Sequence, residues 1–348
     1  MNYLSVQLPI IIALFLLAAG TAACIISRRQ IEIRIGAKAG VQARKGAGCT
    51  LSVRNRSILP VSSLRMICSV NNRYTGQTGR HKVTAAIQPK GEAEVDISVD
   101  PGMCGKINVS VKKAWLTDLF GIIRIPVKAG ASCNFTVLPE LFDTELAYNP
   151  HESDIFDCDD YSPYRKGRDY TEIFQVREYV DGDSVKNIHW KLSSKSEELI
   201  VKDGSYPLDK RIMIVADKTA RGSVRPQDAE ALAEIVLSTG ERLMAEEIAF
   251  ELVWNDVDEA VCHSKHIQFY EELASAMPEI LSSPVKEGGS SCGELYSQIY
   301  GEPGVTHILY VSCGEIENDI YGMPVGSIIN INACADDYRE RCKEINLY

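Results

Sequence analysis

A chain of 348 residues exceeds one ordinary domain and is long enough for two, each with its own core. With 24% charged and 45% apolar residues and no long low-complexity run, its composition is globular, which excludes a disordered or fibrous chain. The net charge of −10 argues against nucleic-acid binding, because phosphate contacts need a basic face.

Leu4 to Ile26 runs 23 residues without a charge. At roughly 1.5 Å per residue this predicts a helix that spans a hydrocarbon core of about 30 Å. A cleaved signal peptide would carry a basic start, and Met1-Asn2-Tyr3 has none. The "TAAC" ending at Cys24 lacks the leucine and basic start of a lipoprotein processing box. Arg28, Arg29, Arg34, Lys38, Arg44 and Lys45 all follow the span. The positive-inside rule therefore predicts a single-pass membrane protein with its N-terminus outside and the bulk of the chain in the cytoplasm.

From 30 to 138, short alternating or β-branched runs such as "IEIRI", "CTLSVRN" and "KINVSVKKAWL" are punctuated by Gly, Pro and Asn. That spacing predicts a small antiparallel β-sandwich. Residues 139–205 are acidic, aromatic and irregular, and read as a connector. From 206 onward strands and helices alternate: "RIMIVAD", "PQDAEALAEIVLSTGERLMAEE", "IAFELVW", "FYEELASAMPEIL", "GELYSQIY", "HILYVS", "SIININA" and a terminal helix "DDYRERCKEI". Such alternation predicts a mostly parallel sheet with helices on both faces. The eleven cysteines have irregular spacing and no CxxC pair, which predicts reduced, mostly buried thiols.

The densest chemistry lies in "REYVDGDSVKNIHWKLSSKSEELIVK", residues 177–202. Asp181-Gly182 predicts a turn, and Asp183 an N-cap accepting from Val185 or Lys186. Val185 and Ile188 share a predicted buried face, Trp190 is a predicted apolar anchor, and Arg177 is placed to pair with Asp183 or Asp181. His189 has no oriented partner, so the stretch reads first as a structural joint, next as a partner-docking surface and last as a catalytic site.

This stretch resembles the signature of the bacterial domain-of-unknown-function 58 family. Arg177, Tyr179, Gly182, Asp183, Ile188, Trp190, Ser193, Leu199 and Val201 match it. Lys186, Lys195 and Lys202 stand where the family prefers arginine, and Ser194 replaces an alanine. The resemblance implies membrane anchoring, a C-terminal von Willebrand factor A-like domain, and a MoxR-type AAA ATPase and transglutaminase-like membrane proteins as partners. Most such proteins carry two N-terminal spans, and this chain has one.

The predicted architecture is thus multidomain α and β. It comprises an N-terminal transmembrane helix with basic flank (1–29), an antiparallel β-sandwich (30–138), a connector with the signature motif (139–205) and an α/β von Willebrand factor A-like domain with mostly parallel sheet (206–348). The resemblance also implies a degenerate metal site. Asp217, Thr219 and Ser290 keep oxygen positions, whereas Arg221 replaces a serine and Cys313 stands where an acid belongs. Hard Mg²⁺ or Mn²⁺ wants several oxygens, so no cofactor is expected, and Arg221 is expected to pair with Asp217. The rim formed by Asp217, Thr219, Arg221, Ser290 and Cys313 is the expected docking face, since α/β sheets bind at that edge.

Two further motifs are weak. "GSSCG" at 289–293 matches a nucleophile elbow with Ser291, but the preceding segment is a poor strand and the downstream His307 comes ahead of Asp319 and Asp336. Cys262, His263 and His266 lack a fourth ligand and read as a polar loop. The expected function is a non-enzymatic membrane-anchored scaffold or adaptor that docks proteins and the lipid bilayer (through residues 4–26), with no nucleic acid. The alternative is a metal-dependent or serine hydrolase on the same rim.

Overall fold

The computed structural model describes residues 3–98, 104–118, 121–148, 161–167, 169–180, 183–196, 198–207, 212–220, 222–300, 305, 307–314, 327–334 and 337–347. Its first element, α1 (Tyr3–Ser27), contains one stretch, Leu8–Ser27, long and apolar enough to cross a membrane. The C-terminal end of α1 is fixed to the rest of the chain. Ser27 is buried with its hydroxyl 3.1 Å from that of Ser57, and the Cys24 thiol lies 3.7 Å from the Thr117 carbonyl.

Nine strands follow: β1 (Ile31–Ala37), β2 (Val41–Gln42), β3 (Gly48–Asn55), β4 (Val61–Asn72), β5 (Thr78–Ile87), β6 (Glu92–Ser98), β7 (Gly105–Thr117), β8 (Arg124–Val127) and β9 (Ser132–Val137). One sheet has the order β1-β3-β6; the other runs β2-β9-β7-β4-β5, with β8 on β7. All pairings are antiparallel except β2 with β9. Alternation explains the packing. Cys49, Leu51 and Val53 of β3 meet Leu64, Met66 and Cys68 of β4 in one core, while Arg54 and Arg65 face out.

The turn between β4 and β5 does more than reverse the chain. Asn72 shapes it: its Oδ1 accepts from the Tyr74 and Thr75 amides at 3.0 and 3.3 Å, and its Nδ2 donates to the Cys104 carbonyl at 3.0 Å. Tyr74 is thereby delivered, wholly buried, into the core of the following α/β unit. Gly105 makes room for this arrangement. Its φ is +143°, and a Cβ there would stand 2.2 Å from Asn72 Oδ1. Gly105→Ala is expected to cost about 1–3 kcal/mol through this clash and the strained φ, read as a lowered denaturant midpoint. An unchanged midpoint would show that the Asn72 turn tolerates displacement.

The stretch after the sandwich is less irregular than its composition suggests. It forms β10 (Glu145–Tyr148), then β11 (Tyr161–Gly167), β12 (Asp169–Glu178), a 3-10 turn (Val185–Asn187), α2 (Trp190–Ser196) and β13 (Ile200–Pro207). β11-β13-β12 is an antiparallel sheet with shifts in register. β12 escapes sequence reading because it lacks clean alternation: Ile173 and Val176 are both exposed on it.

The last region contains β14 (Ile212–Asp217), β15 (Thr219–Ala220), α3 (Pro226–Ala245), β16 (Phe250–Asp256), β17 (Val261–Ile267), α4 (Tyr270–Ile280), β18 (Lys286–Glu287), α5 (Cys292–Tyr300), β19 (His307–Ser312), β20 (Ser327–Asn332), α6 (Tyr338–Arg341) and β21 (Glu344–Leu347). Its five-stranded sheet, ordered β17-β16-β14-β19-β20, is mixed: β16 to β20 pair in parallel, and β17 is an antiparallel edge. β14 is buried on both faces. Ile212, Ile214 and Ala216 pack with Leu232 and Ile235 of α3 and Met277 of α4, whereas Met213 and Val215 join Leu295 and Tyr296 of α5.

Two local expectations are corrected. Residues 262–266 lie in strand β17 rather than a loop, so Cys262 is buried while the adjacent His263 is exposed and stacks on Trp254. Neighbours on a strand point to opposite faces, so these two cannot share a metal. The terminal helix is only the four residues of α6, because the chain turns into β21 to pair in parallel with β10.

Candidate functional site

The signature residues build a small frame. Arg177 forks onto Asp183, Nη1 to Oδ2 and Nη2 to Oδ1, both at 2.7 Å. Its Nε donates to Asp203 Oδ2 at 3.1 Å, an acceptor also held by Gln175. These carboxylates raise the Arg177 pKa further above its ordinary value, first through Asp183 and then Asp203. Of the two partners expected for Arg177, Asp183 is the one it meets, and the pair recruits Asp203, an acid of β13 that the motif does not include.

Asp183 does not cap the 3-10 turn. The N-cap position is Ser184, without a side-chain bond, and Asp183 accepts instead from Arg177 and from the Val180 amide at 2.9 Å. Ser193 is buried; its Oγ accepts from the Ile200 amide at 2.9 Å and donates to the His189 carbonyl at 3.1 Å. Ile188 is buried and bridges to the buried Val201, and the Tyr179 amide donates to Leu199. Gly182 lies outside the described residues.

Trp190 overturns the anchor reading, because 63% of it is exposed. Val185, expected inside, is 60% exposed. Ile188 and Ser193 hold the joint together, so the face carrying the indole is left outward. Spacing places Trp190, Lys191, Ser194 and Lys195 on one arc of α2, and all four are exposed. Val180, Leu199 and Lys186 are exposed as well. The frame thus leaves both large apolar side chains and lysines exposed.

The sheet rim is differently built. Asp217 ends β14, and Oδ1 accepts from the Thr219 amide at 2.9 Å and from Asn255 Nδ2 at 3.3 Å, while Oδ2 accepts from the Tyr310 hydroxyl at 2.5 Å. The Cys292 amide is a further donor. Burial raises the Asp217 pKa against these hydrogen bonds. A carboxylate has about four acceptor sites, and four protein donors already meet this one. The residues therefore do not fit a hard cation, which would have to displace Tyr310 and Asn255.

Thr219 donates to the Ser290 carbonyl at 3.0 Å and accepts from Asn255 at 2.7 Å, so Asp217, Thr219 and Ser290 do converge. Cys313 does not join them at the surface. It is buried against α3, with its thiol 3.5 Å from the Asp228 carbonyl. Arg221, and with it the expected Arg221–Asp217 pair, lies outside the described residues. Among the described residues no three His, Cys, Asp or Glu side chains form a metal-binding group.

Ser291 is a helix cap. Its Oγ accepts from the Glu294 amide at 3.2 Å and its own amide donates to Glu294 Oε2 at 3.1 Å, a reciprocal capping box on α5. The Ser-x-x-Glu spacing was the readable signal.

Sequence reasoning missed Lys218 and Asn255. Lys218 is fully buried, donates Nζ to the Ile280 carbonyl at 3.1 Å and to Ser283 Oγ, and binds Asn255 Oδ1 through its amide at 2.8 Å. Burial depresses its pKa from 10.5 to about 8. It occupies a spacer position between Asp217 and Thr219, where pattern reading assigns no role. Nζ sits at the C-terminal end of α4, where the helix dipole favours a cation.

Residues 175–241 match the model of the family described as "Protein of unknown function DUF58". That match supports the family resemblance over this span. No curated protein matches the chain. Among solved structures, the CARDB domain of a Pyrococcus furiosus protein in complex with di-metal ions is 18% identical, covering 31% of this chain and 87% of that one at a TM-score of 0.23. The Pseudomonas fluorescens alkylpurine DNA glycosylase AlkC is 11% identical, covering 33% and 35% at a TM-score of 0.21. At such scores neither likeness bears on fold or function.

Proposed function

We propose that the chain is a non-enzymatic, membrane-anchored docking protein whose signature module receives a protein partner. The observation that carries this reading is the exposed indole of Trp190, on a module whose Val185, Leu199, Lys186, Lys191 and Lys195 are exposed as well. Indoles at such surfaces supply most of an interface's energy when a partner pocket desolvates them. The lysines select a partner with an acidic rim. The family resemblance names a MoxR-type AAA ATPase as that partner.

The anchor is α1, whose side chains from Leu8 to Leu16 are largely exposed and apolar, suited to lipid. The basic residues after it set the bulk of the chain in the cytoplasm. The α/β unit serves as a degenerate A-type frame whose rim is closed by its own hydrogen bonds.

The test is binding of the cognate MoxR-type ATPase to the full chain in lipid nanodiscs. Trp190→Asp is expected to weaken binding by roughly 30-fold, the ~2 kcal/mol of a hot-spot tryptophan. Lys191→Glu with Lys195→Glu is expected to slow association and to reduce its dependence on salt. Equal affinity of Trp190→Asp and wild type, or no binding by wild type, would overturn the proposal.

A further inference from the structure

Among the described residues, Cys49 with Cys133, Cys262 with Cys292, and Cys313 with Cys334 are thiols that perturb each other. They differ in ways that bear on oxidation. Cys262 and Cys292 are 4.0 Å apart, but both are buried among apolar side chains. Cys49 is buried in the sandwich core and pushed up to about 12, and its partly exposed partner Cys133 is also raised, in both cases mainly by burial.

The third pair is built otherwise. β19 and β20 run in parallel with Ser312 opposite Asn332, so Cys313 lies one residue and Cys334 two residues beyond adjacent strand ends. Asn332 Oδ1 ties the two exits together, accepting from the Gly314 amide at 3.2 Å and the Cys334 amide at 2.9 Å. The Ala333 amide donates to the Ser312 carbonyl at 2.8 Å. Cys313 is buried and Cys334 partly exposed, and each thiol perturbs the acidity of the other.

Both sit at the N-terminus of the 20-residue helix α3. The Cys313 thiol meets the Asp228 carbonyl, and Arg225 donates Nη2 to the Cys334 carbonyl at 3.3 Å. The neighbouring Cys313 thiol holds the Cys334 thiol below its ordinary pKa, and Arg225 adds to this against desolvation and Asp228. A reachable thiol with thiolate character beside a buried partner thiol is the arrangement that peroxide oxidation requires.

We propose that Cys334 and Cys313 are a peroxide-responsive dithiol that closes to a disulfide across the exits of β19 and β20. The Cys334 thiolate attacks hydrogen peroxide: a sulfur–oxygen bond forms, the oxygen–oxygen bond breaks, and hydroxide leaves as water after protonation. The Cys313 sulfur then attacks the sulfenic sulfur as its proton passes to the departing hydroxyl. A sulfur–sulfur bond replaces the sulfur–oxygen bond, and a second water is released. Two thiols and one peroxide thus give one disulfide and two waters. The product staples two loops of the sheet rim, and thiol reductants reopen it.

The experiment treats the detergent-solubilised full chain with stoichiometric hydrogen peroxide and maps its peptides by mass spectrometry. Expected are a Cys313–Cys334 linkage that costs roughly 2 Da and is reversed by dithiothreitol, and alkylation of Cys334 by iodoacetamide roughly tenfold faster than that of Cys133. Cys313→Ala is expected to leave a dimedone-trappable sulfenic acid on Cys334, and Cys334→Ala to leave Cys313 unoxidised. If Cys262–Cys292 or Cys49–Cys133 forms first, or Cys334 reacts no faster than Cys133, the proposal fails. Wild-type peptide mapping decides this even if either variant does not fold.

Discussion

Tyr74→Ala is expected to destabilise the chain by about 3–5 kcal/mol, the range for removing a buried aromatic ring. The ring leaves the sandwich on the turn after β4 and fills the core formed by α3, α4 and the central sheet. Its loss opens a cavity where the two units meet. Other contacts between them include the Lys106 amide to the Leu281 carbonyl, the Phe142 amide to Ser238 Oγ, and Arg44 on Glu230 at 2.8 Å. Tyr74→Phe is expected to act in the opposite direction. The Tyr74 hydroxyl is buried without a hydrogen-bond partner among the described residues. Deleting it removes an unpaid desolvation and should stabilise by about 1 kcal/mol. Urea denaturation of the detergent-solubilised chain checks both. A stable Tyr74→Ala, or a Phe variant weaker than wild type, would place the ring's role elsewhere.

The second large effect is on pH dependence, through Lys218. Its pKa is 10.5 as an ordinary lysine and about 8 in the fold, chiefly because burial disfavours the charge. Between these values the unfolded chain holds a proton that the folded chain has released. Stability owed to this group therefore grows as pH rises from about 8 to 10.5 and is level above that. The gap corresponds to roughly 3 kcal/mol. Other groups titrate in the same window, so the measurement is the difference between wild type and Lys218→Met. That difference should move in favour of wild type by roughly 3 kcal/mol from pH 7 to pH 10.5. A difference that stays flat with pH would show that Lys218 has its ordinary affinity for protons in the fold.

The apolar run of α1 and the helical period of α3 were legible because each pattern is long and repetitive. The sandwich strands were legible because one face is buried and the other wet. β12 was not, since Ile173 and Val176 are both exposed and alternation gives no signal there. β17 was misread because its histidines and lysine look like a loop, although the strand is an antiparallel edge with a wet face. α6 ended early because pairing of β21 with β10, two segments distant in sequence, competes with helix propensity.

In the signature stretch, the amino-acid sequence by itself limited the partner of Arg177 to Asp181 or Asp183, the two acids of the following turn, and the structure decided for Asp183. The sequence also determined that Asp217 and Thr219 stand at the end of a buried strand. Only the tertiary structure decided that Trp190 faces outward, because burial depends on which neighbours arrive and Ile188 and Ser193 take that place. The same holds for Lys218, whose burial is decided by the carbonyl of Ile280 and the hydroxyl of Ser283, more than sixty residues away. It holds again for the thiols of Cys313 and Cys334, which strand pairing alone brings together. Local rules assign turns, caps and faces; long-range packing decides which groups lose water, and with it which groups can bind, titrate or react.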